Sequence, residues 1–470
     1  MKDKLTLGVM VGTRGFFSPE LAREGRTKLL DRLKHMGFET VVLPERDTPT
    51  GAIETLEDAR KCARLFNERR YDIDGVVVSL PNFGDELGIA AGLHEAQLKV
   101  PVLVHAEDDR VDQVDVAHRR DAFCGKLSVC NNLHQYGIPF TDTTWHTCPV
   151  DGEAFGQDLE GFARVCRVVR GLTGARIGQV GARPAAFNTV RASEKLLQDS
   201  GITVVPVDLS EIIFAAQKLG DEDKAVKEKV TELQQYGRIP AEIPAENVLR
   251  NAKLCVVLDR WTAENAIDAC AVQCWTSIQT HYGCATCTAM SMMGDRLLPS
   301  ACEVDIAGAV SMYALTLASG KASALVDWNN NFGEDRDMCV VTHCSNYLRS
   351  FMGAPIEISN LDILGASLGY DRSFGAIKGK VAAGPMTFFR MDTDDTEGTV
   401  RAYLGEGELT DDPFPMDGGI GVCRVPDLQG LMKLMCKAGF EHHVGMVRSH
   451  CADAIEEAIE TYLGWDLYRH

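Results

Sequence analysis

Short apolar runs alternate with polar stretches of helical period along the first part of the chain. The pattern predicts, in chain order, a strand at Leu5–Val11, a helix at Glu20–Met36, a strand at Thr40–Leu43, a helix at Thr55–Arg69, and strands at Gly75–Leu80 and Val100–His105. Strands that alternate with helices are typical of a parallel sheet covered by helices. We therefore predict a Rossmann-like domain over residues 1–146.

The same alternation begins again near Cys148. It predicts helices at Leu159–Leu172, Ala192–Asp199, Leu219–Tyr236 and Ala309–Ala318, and strands at Arg176–Val180, Ile202–Val207 and Leu254–Leu258. The helix at Leu219–Tyr236 is rich in charge, which is typical of a solvated face. We predict a second Rossmann-like domain over residues 147–318.

From about residue 320 the apolar residues alternate with polar ones at every second position, as in strands. Such runs occur at Ala322–Val326, Met338–Thr342, Ile377–Ala383 and Met386–Arg390. Glycine-rich turns are predicted at Gly405–Gly407 and Gly418–Gly421, and a last helix at Asp453–Leu463. The predicted fold class is therefore two Rossmann-like α/β domains followed by a β-rich C-terminal domain, which spans residues 319–470.

Charge and cysteine usage narrow the possible functions. The net charge of −19 argues against a general surface for nucleic acid or an anionic membrane, so we expect a small-molecule partner. The sixteen cysteines are scattered along a chain that begins with a strand-like segment, which favours reduced thiols and a cytoplasmic location. No apolar run reaches the roughly 18 residues that span a bilayer.

Acidic residues interrupt an apolar segment between Pro299 and Gly308, just before a predicted helix. An unpaired buried carboxylate is unfavourable, so an internal one usually binds a metal or accepts hydrogen bonds. Asp305 is well placed as the N-terminal residue of the helix, where the helix dipole favours negative charge. Glu303 precedes the helix and is the better candidate ligand.

Further candidate ligands follow predicted strands. Asp327 follows the apolar run Ala322–Val326 and begins a polar segment in which Trp328 and Asn329 are candidates for contact with hydroxyl groups. His343 also ends a strand, and His442 and His443 lie near the C-terminus. Each residue alone is more often structural, but carboxylates together with imidazoles suit Mn²⁺, Co²⁺ or Mg²⁺.

Other cofactor signatures are weak or absent from the sequence. The segment Gly12–Gly15 follows the first strand but lacks the G-x-G-x-x-G dinucleotide pattern, and no phosphate-binding loop pattern occurs. The pair Cys284 and Cys287 has no second pair at zinc-finger distance, so we interpret both residues as packed thiols. Arg14 is a candidate for contact with a polar or anionic substrate.

A family resemblance joins these residues. The segment Ala301–Asp305, followed by Leu325–Trp328, resembles the fucose isomerase-like group of L-fucose and L-arabinose isomerases, whose members carry a Cys-Glu-x-Asp segment and a later strand-end Asp. Supporting similarities occur at residues 181–184 together with 187–189, and at 274–277, 343–346 and 442–444. The resemblance implies a metal-dependent aldose–ketose isomerase with two Rossmann-like domains, a β-rich domain, and assembly into a trimer or hexamer.

The resemblance also implies a ligand set. Carried over by position, Mn²⁺, or alternatively Co²⁺ or Mg²⁺, is expected to bind Glu303, Asp327 and His442, with His443 and His450 as alternative late histidines. His343 resembles an additional ligand on the arabinose isomerase side of the group. Glu303 and Asp327 are the expected catalytic acid and base, acting through an enediolate intermediate.

The sequence leaves the substrate and two other functions open. Arg14, Arg183 and Arg191 leave room for an anionic monosaccharide such as a sulfonated hexose, and Asn188 is a further candidate for substrate contact. A sugar-binding sensor would also use paired Rossmann-like domains, but it needs neither the β-rich domain nor the Glu, Asp and His set. A metal-dependent hydrolase or aldolase would use the same ligand types.

Overall fold

The computed structural model of the protein describes residues 4–343, 346–416 and 418–470. The chain forms two compact units: one extends to Arg170 and includes Glu457–Gly464, and the other contains Gly171–Glu456 and Trp465–His470. The domain boundaries predicted from the sequence remain predictions. Among the described residues, no helix is both long enough and apolar enough to cross a membrane.

The first unit is an alternating α/β structure. Its elements are β1 (Thr6–Val11), α1 (Pro19–His35), β2 (Glu39–Val42), α2 (Leu56–Glu68), β3 (Gly75–Leu80), α3 (Glu86–Ala96), β4 (Val102–Ala106), α4 (Ala122–Gln135), β5 (Thr141–Asp142) and most of α5 (Glu153–Leu172). The strands form a parallel sheet in the order β2-β1-β3-β4-β5. Every residue of β1 and β3 is buried, as expected for a sheet covered by helices on both faces.

The second unit begins with another α/β layer. Its elements are β6 (Arg176–Val180), α6 (Glu194–Asp199), β7 (Thr203–Val207), α7 (Leu209–Lys218), α8 (Lys224–Tyr236), α9 (Ala245–Glu264), β8 (Ala269–Val272), α10 (Ser277–His281), α11 (Cys287–Asp295), β9 (Ser300–Ala301) and α12 (Ile306–Ser319). The strands form a parallel sheet in the order β7-β6-β8-β9. Asp305 caps the start of α12, and Gly320 ends it in the left-handed conformation.

A β-rich layer completes the second unit. Its elements are β10 (Ser323–Phe332), β11 (Asp335–His343), β12 (Glu357–Asn360), α13 (Asp362–Leu368), β13 (Phe374–Lys380), β14 (Gly384–Asp394), β15 (Thr399–Thr410), β16 (Gly419–Arg424), α14 (Leu428–Ala438), β17 (His443–Val447), α15 (Ala452–Glu457) and β18 (Asp466–Arg469). The nine strands form one mixed sheet in the order β12-β13-β16-β11-β10-β17-β14-β15-β18. Because β15 also pairs with β16, six of these strands close into a ring. A π-helical turn at Ala458–Leu463 follows α15 and belongs to the first unit.

These observations confirm the predicted fold class of two α/β layers followed by a β-rich part. One predicted strand is wrong: Leu254–Leu258 lies inside α9. All five residues of this segment are buried, on several faces of the helix, and a short apolar run does not distinguish a buried strand from a buried helix.

The turn predicted at Gly405–Gly407 is also wrong, because both glycines lie inside β15. They are needed there for close packing. A Cβ atom at Gly405 would lie 2.3 Å from the Phe388 ring, and one at Gly407 would lie 2.5 Å from the carbonyl oxygen of Arg424. The segment Gly418–Gly421 likewise runs mainly into strand β16.

Candidate active site

The backbone around Glu303 is strained. Glu303 and Val304 follow β9 and have positive φ values of 55° and 56°, a conformation that is rare for residues with side chains and especially unfavourable for a β-branched one. Such strain costs about 1–3 kcal/mol per residue and persists mainly at functional sites. Glu303 is buried at this turn, directly before α12.

Three neighbouring strands supply the other candidate ligands. Asp327 lies on β10, His343 ends β11, and His443 begins β17, and β10 lies between the other two strands in the sheet. Asp327 and His443 are directly paired across β10 and β17. Side chains of directly opposed residues lie on the same face of a sheet, which brings this carboxylate and this imidazole together.

The four side chains converge closely. Glu303 Oε2 lies 3.5 Å from His343 Nε2 and 3.7 Å from His443 Nε2, and His443 Nε2 lies 3.5 Å from Asp327 Oδ1. Among the described residues, neither Glu303 Oε2 nor Asp327 Oδ1 has a hydrogen-bond partner, although both atoms are buried. A buried carboxylate oxygen without a partner is unfavourable, so these atoms fit a bound cation.

The structure distinguishes the three candidate histidines near the C-terminus. The His443 side chain is 1% exposed and approaches both Glu303 and Asp327, whereas His442 is 44% exposed and its Nε2 atom lies 3.8 Å from Asp327 Oδ1 only. His443 is the first residue of β17 and is paired with Asp327, whereas His442 precedes the strand. His450 instead lies beside Glu406, with its Nδ1 atom 2.6 Å from Glu406 Oε2. The geometry favours His443 as the late ligand.

A buried ion network holds His443. Its Nδ1 atom lies 2.8 Å from Asp305 Oδ2, and Arg390 Nη1 donates to the same oxygen at 2.6 Å. Arg390 also forms a close ion pair with Glu441. Burial acts to raise the pKa of Asp305, but Arg390 and His443 outweigh it and hold that pKa well below its usual range. Asp305 is therefore both the cap of α12, accepting from the Gly308 amide at 2.7 Å, and the carboxylate partner of His443.

Aromatic side chains complete the surroundings of Glu303. The indole N–H of Trp275 donates to Glu303 Oε1 at 3.0 Å, and the Phe187 ring lies 5.6 Å from both His442 and His443 and 6.0 Å from Trp275. Burial acts to raise the pKa of Glu303, but His343, His443 and Trp275 together lower it to about 2. Glu303 is thus held as a carboxylate, the form that accepts a proton or binds a cation.

A cavity of about 640 Å³ lies next to this turn. Its lining includes Arg183, Asn188 and Arg191 from the loop after β6, and Val304 and Ile306, which flank Asp305. Within the described part of the chain, neither Arg183 nor Arg191 is paired with a carboxylate; both bond backbone carbonyl oxygens. The loop therefore presents two cationic side chains to a cavity that reaches Val304, the residue after Glu303. Glu303 itself is not among the described residues that line this cavity, which also include the acidic residues Glu194, Asp392, Asp394 and Asp395.

The remaining predicted site residues lie elsewhere. The Trp328 indole N–H donates to the Tyr403 hydroxyl at 3.0 Å, and Asn329 is exposed at an irregularity of β10. Arg14 belongs to the first unit, where it forms a close ion pair with Glu86 and lies 4.2 Å from the centre of the Phe83 ring. The resemblance at 343–346 includes Cys344 and Ser345, which lie outside the described residues.

Sequence reasoning missed several residues of this site. Arg390 is the last residue of the apolar run at residues 386–390. A charged residue in such an apolar strand indicates a buried side chain that needs a partner of opposite charge. Trp275 stood in a segment that carried the resemblance, but without an assigned role. Nothing in the local sequence brings Phe187 to the histidines, because that contact depends on the tertiary structure.

Comparison with known proteins shows which family the chain resembles. The family described as "Fucose/sulfoquinovose isomerase, N-terminal domain" matches residues 8–173, and "L-fucose isomerase, C-terminal domain" matches residues 341–470, so the two matches cover more than half of the chain. Proteins named sulfoquinovose isomerase from Priestia aryabhattai and Priestia megaterium are each 26% identical over 98% of this chain and 97% of their own length. One from Alkalicoccus urumqiensis is 27% identical over 70% of each chain.

The family matches and the relatives together define the class of protein. The protein is an enzyme, an aldose–ketose isomerase that acts on a sugar. It belongs to the fucose isomerase-like family. The recognition made from the Glu303 and Asp327 segments is thereby confirmed, and the sensor and the hydrolase or aldolase gain no support from these comparisons.

Proposed function

We propose that this enzyme is a divalent-metal-dependent isomerase that converts a sulfonated aldose into the corresponding ketose through a cis-enediolate. The observation that carries the metal dependence is the pair of buried, unpartnered oxygens, Glu303 Oε2 and Asp327 Oδ1, beside His443. Two anionic oxygens held close to one imidazole repel each other unless a cation lies between them.

The residues that would hold the metal are Glu303, Asp327 and His443, with His343 as a further ligand. Oxygen and nitrogen donors of this kind suit Mn²⁺, Co²⁺ or Mg²⁺, and we propose Mn²⁺. When bound, such a cation supplies electrostatic stabilisation of the negative charge that develops on the sugar oxygens. Asp305 would keep the His443 ring oriented through its Nδ1 atom.

The two carboxylates are proposed to carry the proton transfers. One removes the proton from carbon 2 of the aldose, and a proton is returned to carbon 1, while the hydroxyl proton of oxygen 2 moves to oxygen 1. No bond between carbon atoms breaks, and no external oxidant is needed. Positioned carboxylates contribute ~10²–10⁴-fold each to such steps. Trp275 would keep the Glu303 carboxylate oriented.

A sulfonated sugar is supported by two independent observations. The relatives bear the name sulfoquinovose isomerase, and the loop after β6 presents Arg183 and Arg191 to the cavity beside Val304. A guanidinium group suits a sulfonate because it offers several donors in one plane. The trimer or hexamer predicted from the sequence remains a prediction, which light scattering at assay concentration would test.

The decisive experiment compares three sugars in one assay and follows the uptake of deuterium from the solvent. The purified enzyme with Mn²⁺ is incubated with sulfoquinovose, glucose and L-fucose in deuterated water, and ketose formation and deuterium incorporation are followed. We expect ketose from the sulfonated sugar, with deuterium at carbon 1 of the ketose and no cleavage product. Turnover of the neutral sugars alone would contradict the substrate, and cleavage products would contradict isomerisation.

A further inference from the structure

Two cysteine thiols lie close to Glu303, next to the parallel sheet of the second unit. Cys302 directly follows β9, and Cys274 lies just beyond the end of the neighbouring parallel strand β8. Both side chains are buried, and the backbone amide of Glu303 donates to Cys274 Sγ at 3.4 Å. The sheet topology therefore brings two sulfur atoms to the turn that carries the Glu303 carboxylate.

The donor atoms are close enough for one ion. The two Sγ atoms and a carboxylate oxygen of Glu303 all lie within 4.8 Å of one another. This group differs in chemistry from the group of Glu303, His343 and His443, because two of its three donors are sulfur. Sulfur ligands select soft or borderline cations such as Zn²⁺, whereas oxygen-rich sites suit Mn²⁺ and Mg²⁺.

We infer that Cys274, Cys302 and Glu303 form a second cation site, specific for thiophilic metals such as Zn²⁺ and Cd²⁺. On binding, each thiol releases its proton to the solvent as its sulfur bonds to the metal. Glu303 belongs to both groups of ligands. A thiophilic ion in the second site therefore competes for the carboxylate of the catalytic centre, and excess Zn²⁺ or Cd²⁺ inhibits the enzyme.

Binding is tested first, because that test does not rest on the proposed function. The parent protein is the full chain with the exposed residues Cys124 and Cys436 replaced by serine, which removes accessible thiols from the background. Cd²⁺ is titrated into it, and the ultraviolet charge-transfer absorption of cadmium bound to thiolate is recorded. We expect a saturable band, and Cys274→Ser and Cys302→Ser should each weaken Cd²⁺ binding about tenfold or more, since each removes a metal–sulfur bond.

A matched control uses another buried pair of cysteines. Cys339 and Cys423 lie opposite each other on β11 and β16 with their sulfur atoms 3.4 Å apart. Cys339→Ser should leave the tight Cd²⁺ binding unchanged. The inference is overturned if the parent shows no band, or if the band is lost in Cys339→Ser and kept in Cys274→Ser and Cys302→Ser.

A second measurement needs no variant in the site and covers the case in which a serine variant does not fold. X-ray absorption of the parent with one equivalent of Zn²⁺ should show Zn–S bonds of about 2.3 Å. A spectrum that shows nitrogen and oxygen neighbours at about 2.0–2.1 Å and no sulfur neighbour would overturn the inference. Inhibition is measured separately, and Zn²⁺ should inhibit the parent more strongly than Cys302→Ser. If Zn²⁺ binds to the thiols without inhibiting the enzyme, the cation site stands and the competition for Glu303 is overturned.

Discussion

Asp305 Oδ2 lies 2.8 Å from the Nδ1 atom of His443, while the Nε2 atom of the same ring faces Glu303 and Asp327. A carboxylate that accepts from one ring nitrogen fixes the tautomer and leaves the other nitrogen able to bind a cation. Arg390 donates to both carboxylate oxygens of Asp305, so the ring orientation depends on a chain of buried, charged contacts.

The first prediction concerns Asp305→Asn. Asparagine still caps α12 but loses the charge that orients His443 and pairs with Arg390, so we expect Mn²⁺ affinity to fall about 10–100-fold. Isothermal titration calorimetry measures the affinity directly. The matched control is Asp85→Asn, which changes the cap of α3 in the first unit and should leave Mn²⁺ binding unchanged. Equal affinities in folded Asp305→Asn and wild type would contradict the orienting role.

The second prediction separates the adjacent histidines. His443→Ala should abolish tight Mn²⁺ binding, because it removes the imidazole that approaches both carboxylates. His442→Ala should keep most of the binding, since its half-exposed ring approaches Asp327 alone, and His450→Ala should bind like wild type. The measurement is the metal content of the purified variants. Loss of metal in His442→Ala with retention in His443→Ala would restore the assignment made from the sequence.

The third prediction concerns the two carboxylates. Glu303→Gln and Asp327→Asn keep volume and shape but remove an anionic ligand and a proton acceptor, so each should abolish isomerisation in a folded protein. Mn²⁺ should raise the wild-type melting temperature by mass action, corresponding to about 2.7 kcal/mol at one hundred times the Kd. Both variants should lose this response. Turnover close to wild type in either variant would contradict their catalytic role.

The fourth prediction tests recognition of the anionic group. Arg183→Met should raise KM for a sulfonated aldose about ten- to a hundredfold, because a charged hydrogen bond contributes roughly 1.5–3 kcal/mol. Arg14→Met tests the other arginine predicted from the sequence, and we expect a smaller effect because Glu86 already pairs with Arg14. Arg336→Met, at an exposed residue paired with Glu334, is the control. Unchanged KM in Arg183→Met would exclude this residue from sulfonate binding.

The fifth prediction concerns stability and pH in the first unit. His105 is fully buried, with Nε2 at 2.8 Å from the Cys148 carbonyl oxygen and Nδ1 at 3.0 Å from Ser79 Oγ. A carbonyl only accepts, so Nε2 carries the hydrogen and Ser79 donates to Nδ1. Burial lowers the pKa of His105 from 6.5 to about 4, although the bond to Cys148 opposes this shift.

The sign of the pH effect follows from proton uptake. Between pH 6.5 and about 4 the unfolded chain binds a proton that folded His105 does not, so the free energy of unfolding falls as the pH falls. The loss from this group amounts to about 3 kcal/mol across the window. Urea denaturation at several pH values should show a shallower pH dependence in His105→Gln, and His35→Gln, at an exposed histidine, should match wild type. An identical pH dependence in His105→Gln and wild type would contradict this assignment.

The sequence by itself determined the order of the elements and the family. Alternating patterns located most strands of both α/β layers but only about half of their helices, because burial on one or both faces leaves a direct signature in the chain only where the period is clear. Local segments around Glu303 and Asp327 were sufficient for the isomerase recognition. Leu254–Leu258 and Gly405–Gly407 were misinterpreted because a short apolar run and a glycine pair each fit more than one structure.

Only the tertiary structure decided how the site is assembled. His442 and His443 are equivalent in sequence, and the pairing of Asp327 with His443 across β10 and β17 determines which ring turns inward. The role of Arg390 depends on contacts with Asp305 and Glu441, which are 85 and 51 residues away along the chain. Sequence patterns report whether a side chain is buried, but strand register and long-range packing determine which other side chains it meets.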